Sequence, residues 1–421
     1  MDSPVNLLGR PATRYRGTDI DGATLAPEGL WVRGKNLNAL IGALTFEEAL
    51  WHVWFDRVPE PHESAAVRTR LARHGEAFAR GNASIEAAAR LGEAGVEMVF
   101  AAAGGLMRDV DRPPMDEPRD AHIGTAVAWD EEFDALLACL AGAPHLMRAA
   151  LGWAGAVDGP PRSHARRVLN AARRGQESAP DALAERVMDA LLVAWHAGFG
   201  YITPTVLVPR CAIGTGVTLA QAIAAGFMSS GPKHVGAARE AMRWLKETAR
   251  TIDRMQQAER HANCADVNAE ANAEANAEAE ATAEGATSAN AIHRAVDRAL
   301  DERGVVLSGF GHPLFEEDPR PPHLRASFAA WGFNGRFMRL YDAACAQAAR
   351  RKGLKPNIDF ITAAALLDLG IDEPCWGVGV GLCARMAAMG AHALERRSRP
   401  AFGVNSATAR KLLAAVPVGW L

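Results

Sequence analysis

The sequence predicts an all-α protein, and three observations carry the prediction. Alanine-rich segments recur along the chain, alternating Val/Ile/Thr runs are few, and short Gly/Pro turns separate the apolar stretches. Phe46-Glu47-Glu48-Ala49-Leu50-Trp51-His52-Val53-Trp54-Phe55 follows Thr45, an N-cap with a carboxylate three residues on, and ends near Pro59. Further helices are expected over 181–196, 219–227, 237–255, 291–303, 326–352 and 378–396, with at most a minor strand component near 30–33. From Asn268 the chain repeats Asn-Ala-Glu-Ala and then drifts into Glu, Thr, Gly and Ser. With no aromatic and no leucine, this segment buries too little apolar surface to offset chain entropy, so a disordered insertion is expected at about 265–290.

A chain of 421 residues is too long for one compact core, so two domains are expected. Hydrophobic content of 49% and charged content of 23% fit a soluble globular protein. A net charge of −3 gives no reason to expect nucleic acid or an anionic membrane as partner. The most hydrophobic stretch, 376–394, carries Arg385 and His392 in its middle and is expected to be core, not a membrane span. Asp2, Arg10, Arg14 and Arg16, with no apolar block among them, do not make a secretory signal. Six cysteines without a CxxC spacing read as reduced core thiols of a cytoplasmic protein. The scattered histidines show no metal-ligand spacing, so no metal is expected, and Gly214-Thr215-Gly216 lacks the strand and spacing of a dinucleotide fingerprint.

Four stretches carry chemistry. In Gly309-Phe310-Gly311-His312, glycines on both sides of an aromatic let backbone approach a ligand, and Asp318-Pro319-Arg320 follows closely. An imidazole with an arginine behind it suits protonating a carbonyl while gripping a carboxylate; the bland reading is a solvated His in a glycine loop. His234, in the turn Gly231-Pro232-Lys233-His234, precedes a helix from Ala237 whose positive end would keep the ring neutral as a donor to an oxyanion. It equally reads as a packing or capping His. Asp359, in Lys355-Pro356-Asn357-Ile358-Asp359-Phe360, is a partly desolvated base or the N-cap of the apolar run that follows. Arg385, inside an otherwise small and apolar helix, needs a partner and is either a structural ion pair or a ligand clamp.

In this order the motifs resemble those of the citrate synthase family. The family's glycine-rich histidine turn and Asp-Pro-Arg match 309–312 and 318–320, with a spacer about one residue short; its Gly-Pro-x-His matches 231–234 and its Pro-Asn-x-Asp-Phe matches 356–360. Its Arg-containing helix, ending in a further Arg-Pro, matches Ala384-Arg385 through Arg399-Pro400, and 46–49 resembles its N-terminal region. The resemblance implies an all-α homodimer with a large and a small, mobile domain. It places the large domain at 1–230 and 371–421 and the small domain at 231–370. The implied reaction condenses an acyl-CoA, usually acetyl-CoA, with a 2-oxo acid, usually oxaloacetate, and then hydrolyses the thioester. No permanently bound cofactor is implied; the acyl-CoA is a co-substrate. By position Asp359 would take the α-proton, His234 would hydrogen-bond the enol oxygen and His312 would polarise the ketone. Arg320 and Arg385 would bind carboxylates, with Arg399 reaching the second subunit's site. Backbone around Gly309, Phe310 and Gly311, and Lys355, would meet the CoA.

The departures bear on the acceptor. The family's His-Ala-Asp-His-Glu, whose second His binds oxaloacetate, is here His196-Ala197-Gly198-Phe199-Gly200, so Phe199 stands where that His would be. A phenyl cannot donate a hydrogen bond, and an unmet polar substrate group there costs about 1–3 kcal/mol. An unusual acceptor or acyl donor is one explanation; a reshaped loop in which His196 or Tyr201 supplies the donor is another. A citryl-CoA-type lyase running the cleavage backwards, and a non-catalytic metabolite-binding homologue, are the competing functions.

Overall fold

The computed structural model describes residues 16–79, 83–91, 130–153, 163–174, 181–200, 202–231, 234–265, 290–301, 307–397 and 406–415. The expected insertion, apart from its ends, and Arg399 lie outside the described residues, as do Tyr201, Pro232 and Lys233. Two compact units share the chain: residues 1–234 with 379–421, and residues 235–378.

The first unit opens on β1 (Arg16–Gly17), β2 (Asp21–Leu25), β3 (Glu28–Val32) and β4 (Lys35–Asn36), which pair in sequence order as one antiparallel sheet. Only a trace of strand near 30–33 was expected. Strong turn chemistry builds more than that: Arg33 and Gly34 both take positive φ, at 47° and 75°, as a two-residue hairpin of matching twist requires. Helices follow: α1 (Leu37–Leu40), α2 (Phe46–Phe55), α3 (Pro61–Ala79), α4 (Ala83–Leu91), α5 (Glu131–Ala150), α6 (His164–Ala172), α7 (Ala182–Ala194), α8 (Pro204–Ile213) and α9 (Leu219–Met228). Thr45 and Glu48 form the expected capping box on α2. The buried faces of α5, α7 and α9 supply apolar core residues, among them Leu136, Leu137, Leu191, Ile223 and Phe227, all 0% exposed.

The second unit holds α10 (Ala237–Ala265), α11 (290–301), α12 (Arg320–Ala330), α13 (Arg336–Lys352) and α14 (Ile358–Asp368). The single helix expected over 326–352 is two helices. Gly332 turns at φ 80°, and Asp368 accepts the Phe337 and Met338 N–H groups at 2.9 and 2.8 Å to start α13 afresh. α15 (Cys375–Arg397) begins in this unit, and its residues from Gly379 on belong to the first. It is long and apolar enough to cross a membrane, yet 94% of its apolar window is buried inside the protein, as a core helix requires. α16 (Ser406–Ala415) closes the described chain. Cys139, Cys375 and Cys383 are buried free thiols as expected, whereas Cys211 is exposed.

Candidate active site

The second unit interlocks three of the expected motifs. Gly309 and Gly311 take φ of 88° and 77°, and a Cβ on Gly309 would stand 2.6 Å from Phe360 Cβ, so only glycine lets this turn lie on α14. The Gly309 carbonyl accepts Asn357 N–H, Gly311 N–H donates to the Lys355 carbonyl, and Asn357 Nδ2 donates to the Gly311 carbonyl, each at 2.8 Å. Phe360, 0% exposed, packs beneath against Phe310 at 4.6 Å, Tyr341 at 5.3 Å and Trp244 at 6.0 Å. The Asn357 side chain caps α14 by accepting Asp359 N–H at 3.0 Å. Asp359 is therefore not the cap that its position allowed; it sits in the first turn of the helix.

His312 Nδ1 accepts two backbone N–H groups, from Leu314 and Phe315, each at 3.2 Å, and its ring stacks on Phe315 at 4.8 Å. A nitrogen that accepts carries no proton, so the neutral ring keeps its proton on Nε2 as a donor.

Arg320 is not an idle clamp. Its Nε and Nη2 donate to the two oxygens of Asp318 at 2.9 and 2.7 Å, and the pair is 4% and 0% exposed. Asp318 also accepts Arg320 N–H and Ile358 N–H, each at 3.1 Å, so one carboxylate ties the arginine to the start of α14. Burial raises the Asp318 pKa, but the guanidinium outweighs it and holds the carboxyl below the usual range. Lys355 is exposed and lies 3.9 Å from Glu317.

The first unit groups His196, His234 and Arg385. Gly231 and His234 exchange backbone hydrogen bonds at 2.9 and 2.8 Å, closing the turn, and His234 Nε2 lies 3.1 Å from the buried Thr205 hydroxyl. Burial first, and the Arg385 charge second, lower the His234 pKa to about 4. Both effects favour the neutral ring. Arg385, 4% exposed, lies over the Trp195 ring at 5.3 Å. His196, 2% exposed, has no hydrogen-bond partner on either ring nitrogen, and burial, then Arg385, push its pKa to about 3. It stacks on Phe46 at 5.2 Å, whose other neighbour is His164 at 4.9 Å.

Phe199 stands in a loop whose anchor sequence reasoning did not foresee. Asp21, 1% exposed, accepts the N–H groups of Gly198, Phe199 and Gly200 at 2.5, 2.9 and 3.2 Å. His392 Nε2 lies 3.0 Å from the same carboxylate, and its Nδ1 accepts from Arg210, which also pairs with Glu395. Because a guanidinium only donates, the His392 proton faces Asp21. Burial opposes the Asp21 charge, but His392 and the loop N–H groups outweigh it and lower its pKa. The available signal was general: Arg210 and His392 lie among apolar residues, where charges must be paired. Which residue pairs with which, across up to 371 positions of sequence between Asp21 and His392, was not readable.

Among the described residues no group of three or more His, Cys, Asp or Glu side chains is placed to hold a metal.

A sequence profile described as "Citrate synthase, C-terminal domain" matches residues 6–402. No curated protein sequence matches. Among solved structures the chain is similar to the citrate synthase of Thermotoga maritima, at 14% identity and TM-score 0.63, covering 90% of this chain and 88% of that one. It is similar to the citrate synthase of Pyrobaculum aerophilum, at 20% identity and TM-score 0.62, covering 91% and 88%. It is also similar to the Thermoplasma acidophilum citrate synthase in ternary complex with carboxymethyl coenzyme A and oxaloacetate, at 14% identity and TM-score 0.67, covering 93% and 92%. At these identities the structures establish the all-α fold, and the profile, which spans nearly the whole sequence, establishes the lineage: the chain belongs to the citrate synthase family.

Proposed function

We propose that the protein condenses an acyl-CoA, acetyl-CoA in the first instance, with a 2-oxo acid, oxaloacetate or a variant of it, and hydrolyses the product thioester to release CoA. The family supports a citrate-synthase-like condensation by a transferase; the substrates and residue roles are our reading. In it the Asp359 carboxylate removes a proton from the carbon next to the thioester. A thioester α-proton is too weakly acidic for a lone carboxylate, so neutral His234 hydrogen-bonds the thioester oxygen as the enol forms. The enol carbon then attacks the ketone carbon of the 2-oxo acid, and the ketone oxygen takes the Nε2 proton of His312. Water cleaves the resulting thioester, giving the free acid and CoA. Arg385 and Arg320 bind carboxylate, Arg320 with the donors that Asp318 leaves to it, and Arg399 serves the site of a second subunit in a cytoplasmic homodimer. The CoA runs along the backbone of Gly309, Phe310 and Gly311, with Lys355 near a phosphate.

The observation that carries the reading is the interlock of the 309–312 turn with 355–360. Beside it the Leu314 and Phe315 N–H groups make His312 Nδ1 an acceptor, and Asn357, not Asp359, caps the helix. Purified protein is expected to release free CoA, followed with a thiol reagent, from acetyl- or propionyl-CoA with one of oxaloacetate, pyruvate, 2-oxoglutarate or phosphonopyruvate. CoA release with none of these pairs would overturn it.

A further inference from the structure

The loop 198–200 holds its only side chain in an unfavourable conformation. Phe199 has φ 46°, a left-handed backbone that residues other than glycine rarely adopt. Such strain persists where the surroundings over-determine it, and the surroundings here are unusually restrictive. A Cβ on Gly198 would lie 2.6 Å from Val206 Cγ2 and 3.3 Å from Asp21 Oδ2, and one on Gly200 would lie 2.5 Å from His392 Nδ1. Neither flanking position can carry a side chain, so the phenyl is all the loop presents.

The backbone of the loop has also been used. Three successive N–H groups converging on one point make a concavity suited to an anion. That place is taken by Asp21, buried with His392 at 0% and Arg210 at 2% exposure, so a dissolved carboxylate cannot displace it. Among residues 198–200 the one side chain is the part-exposed Phe199 phenyl, and the N–H concavity is already occupied. The same loop follows directly on His196 and Trp195, which stand by the Arg385 charge.

We propose that Phe199 selects the acceptor and that Asp21 is its positioning residue, so that the preferred 2-oxo acid has one carboxylate and a small apolar group, as pyruvate has. This rests on the condensation proposed above, with Arg385 taking the single carboxylate and the phenyl facing the apolar end.

The test compares pyruvate with oxaloacetate, by CoA release from acetyl-CoA and by calorimetric binding to the full-length protein. The expected result is a kcat/KM for pyruvate at least about 10-fold above that for oxaloacetate. Phe199→His should shift the ratio toward oxaloacetate by about 10-fold or more, and Phe199→Gly, which accepts the backbone conformation, should abolish the preference. Asp21→Asn should raise KM for pyruvate several-fold and leave KM for acetyl-CoA in place, a split that general loosening would not give. If that variant does not fold, His392→Gln, which frees one side of Asp21, is measured for the same split. Preference for oxaloacetate in the unaltered protein, an unchanged ratio in both Phe199 variants, or equal rises in both KM values would overturn the proposal. Turnover of another 2-oxo acid of the panel but of neither of these two would overturn the proposal; if no pair of the panel turns over, the condensation reading fails and calorimetry decides the inference. Tighter binding of pyruvate that is lost in Phe199→His sustains it, and no such preference overturns it.

Discussion

The 309–320 and 355–360 cluster of the second unit and the 198–200 loop of the first solve the same problem differently. Both hold a backbone segment in place with a buried carboxylate that accepts several N–H groups. Asp318 finds its arginine two residues away, and its reach to Ile358 spans 40 residues. Asp21 draws its loop from 177 residues away and its histidine from the far end of the chain. The first arrangement is written as a contiguous motif that chemistry makes recognisable. The second is visible only once the chain has folded, and it is here that the chain departs from the family's usual pattern.

Of the two buried carboxylates, Asp318 is the one whose loss should cost most, as in Asp318→Ala. It leaves Arg320 buried without its counter-charge and removes the tie to α14, at a cost of about 3–5 kcal/mol in urea unfolding. A loss below about 1 kcal/mol would mean that the ion pair does not organise the cluster.

The first unit can be probed through pH. His164, 0% exposed with no hydrogen-bond partner on either ring nitrogen, has its pKa lowered to about 3 by burial and the nearby Arg167. The native ring stays neutral while the unfolded chain takes a proton below about 6.5, so this contribution is intact above that pH and is lost as pH falls toward 3. By pH 5 the loss amounts to about 2 kcal/mol. His164→Phe, which keeps the stack on Phe46 and removes the proton site, should gain about 2 kcal/mol more over the unaltered protein at pH 5 than at pH 8. Parallel pH profiles of the two proteins would contradict this. Glu47 and Asp189, whose pKa values burial raises, titrate in both proteins and cancel in the difference.

Gly309→Ala tests the interlock from the other side. The added methyl meets Phe360 in a backbone conformation that disfavours it, and the expected destabilisation is about 1–3 kcal/mol with a comparable loss of turnover. Asn357→Ala removes only the cap and one bond to Gly311, for about 1 kcal/mol. If it cost as much as Asp318→Ala, the cap and not the ion pair would be what holds α14.

What the sequence disclosed follows the same division. Local rules gave the Thr45–Glu48 capping box, the course of most helices and the order of the motifs, because each depends on neighbours a few residues apart. They missed the break at 331–335, where Asp368 from another helix starts α13, and the extent of the sheet, which short turns build from strands of two to five residues. Arg385 was recognised as a charge needing a partner and lies over the face of Trp195, whereas Arg320, read only as a carboxylate clamp, is held by a carboxylate two residues back. Phe199 was legible as an anomaly. The carboxylate from a β-strand that anchors its loop was not.

In the proposed reaction Asp359, which stands one residue after the Ile358 that opens α14, is the base that takes the first proton. Asp359→Asn keeps the shape of the side chain and removes its basicity. With whichever acyl-CoA and 2-oxo acid pair the unaltered protein uses, CoA release should fall by at least about 1000-fold while the thermal midpoint stays within a few degrees. Undiminished CoA release by a folded Asp359→Asn protein would contradict the account.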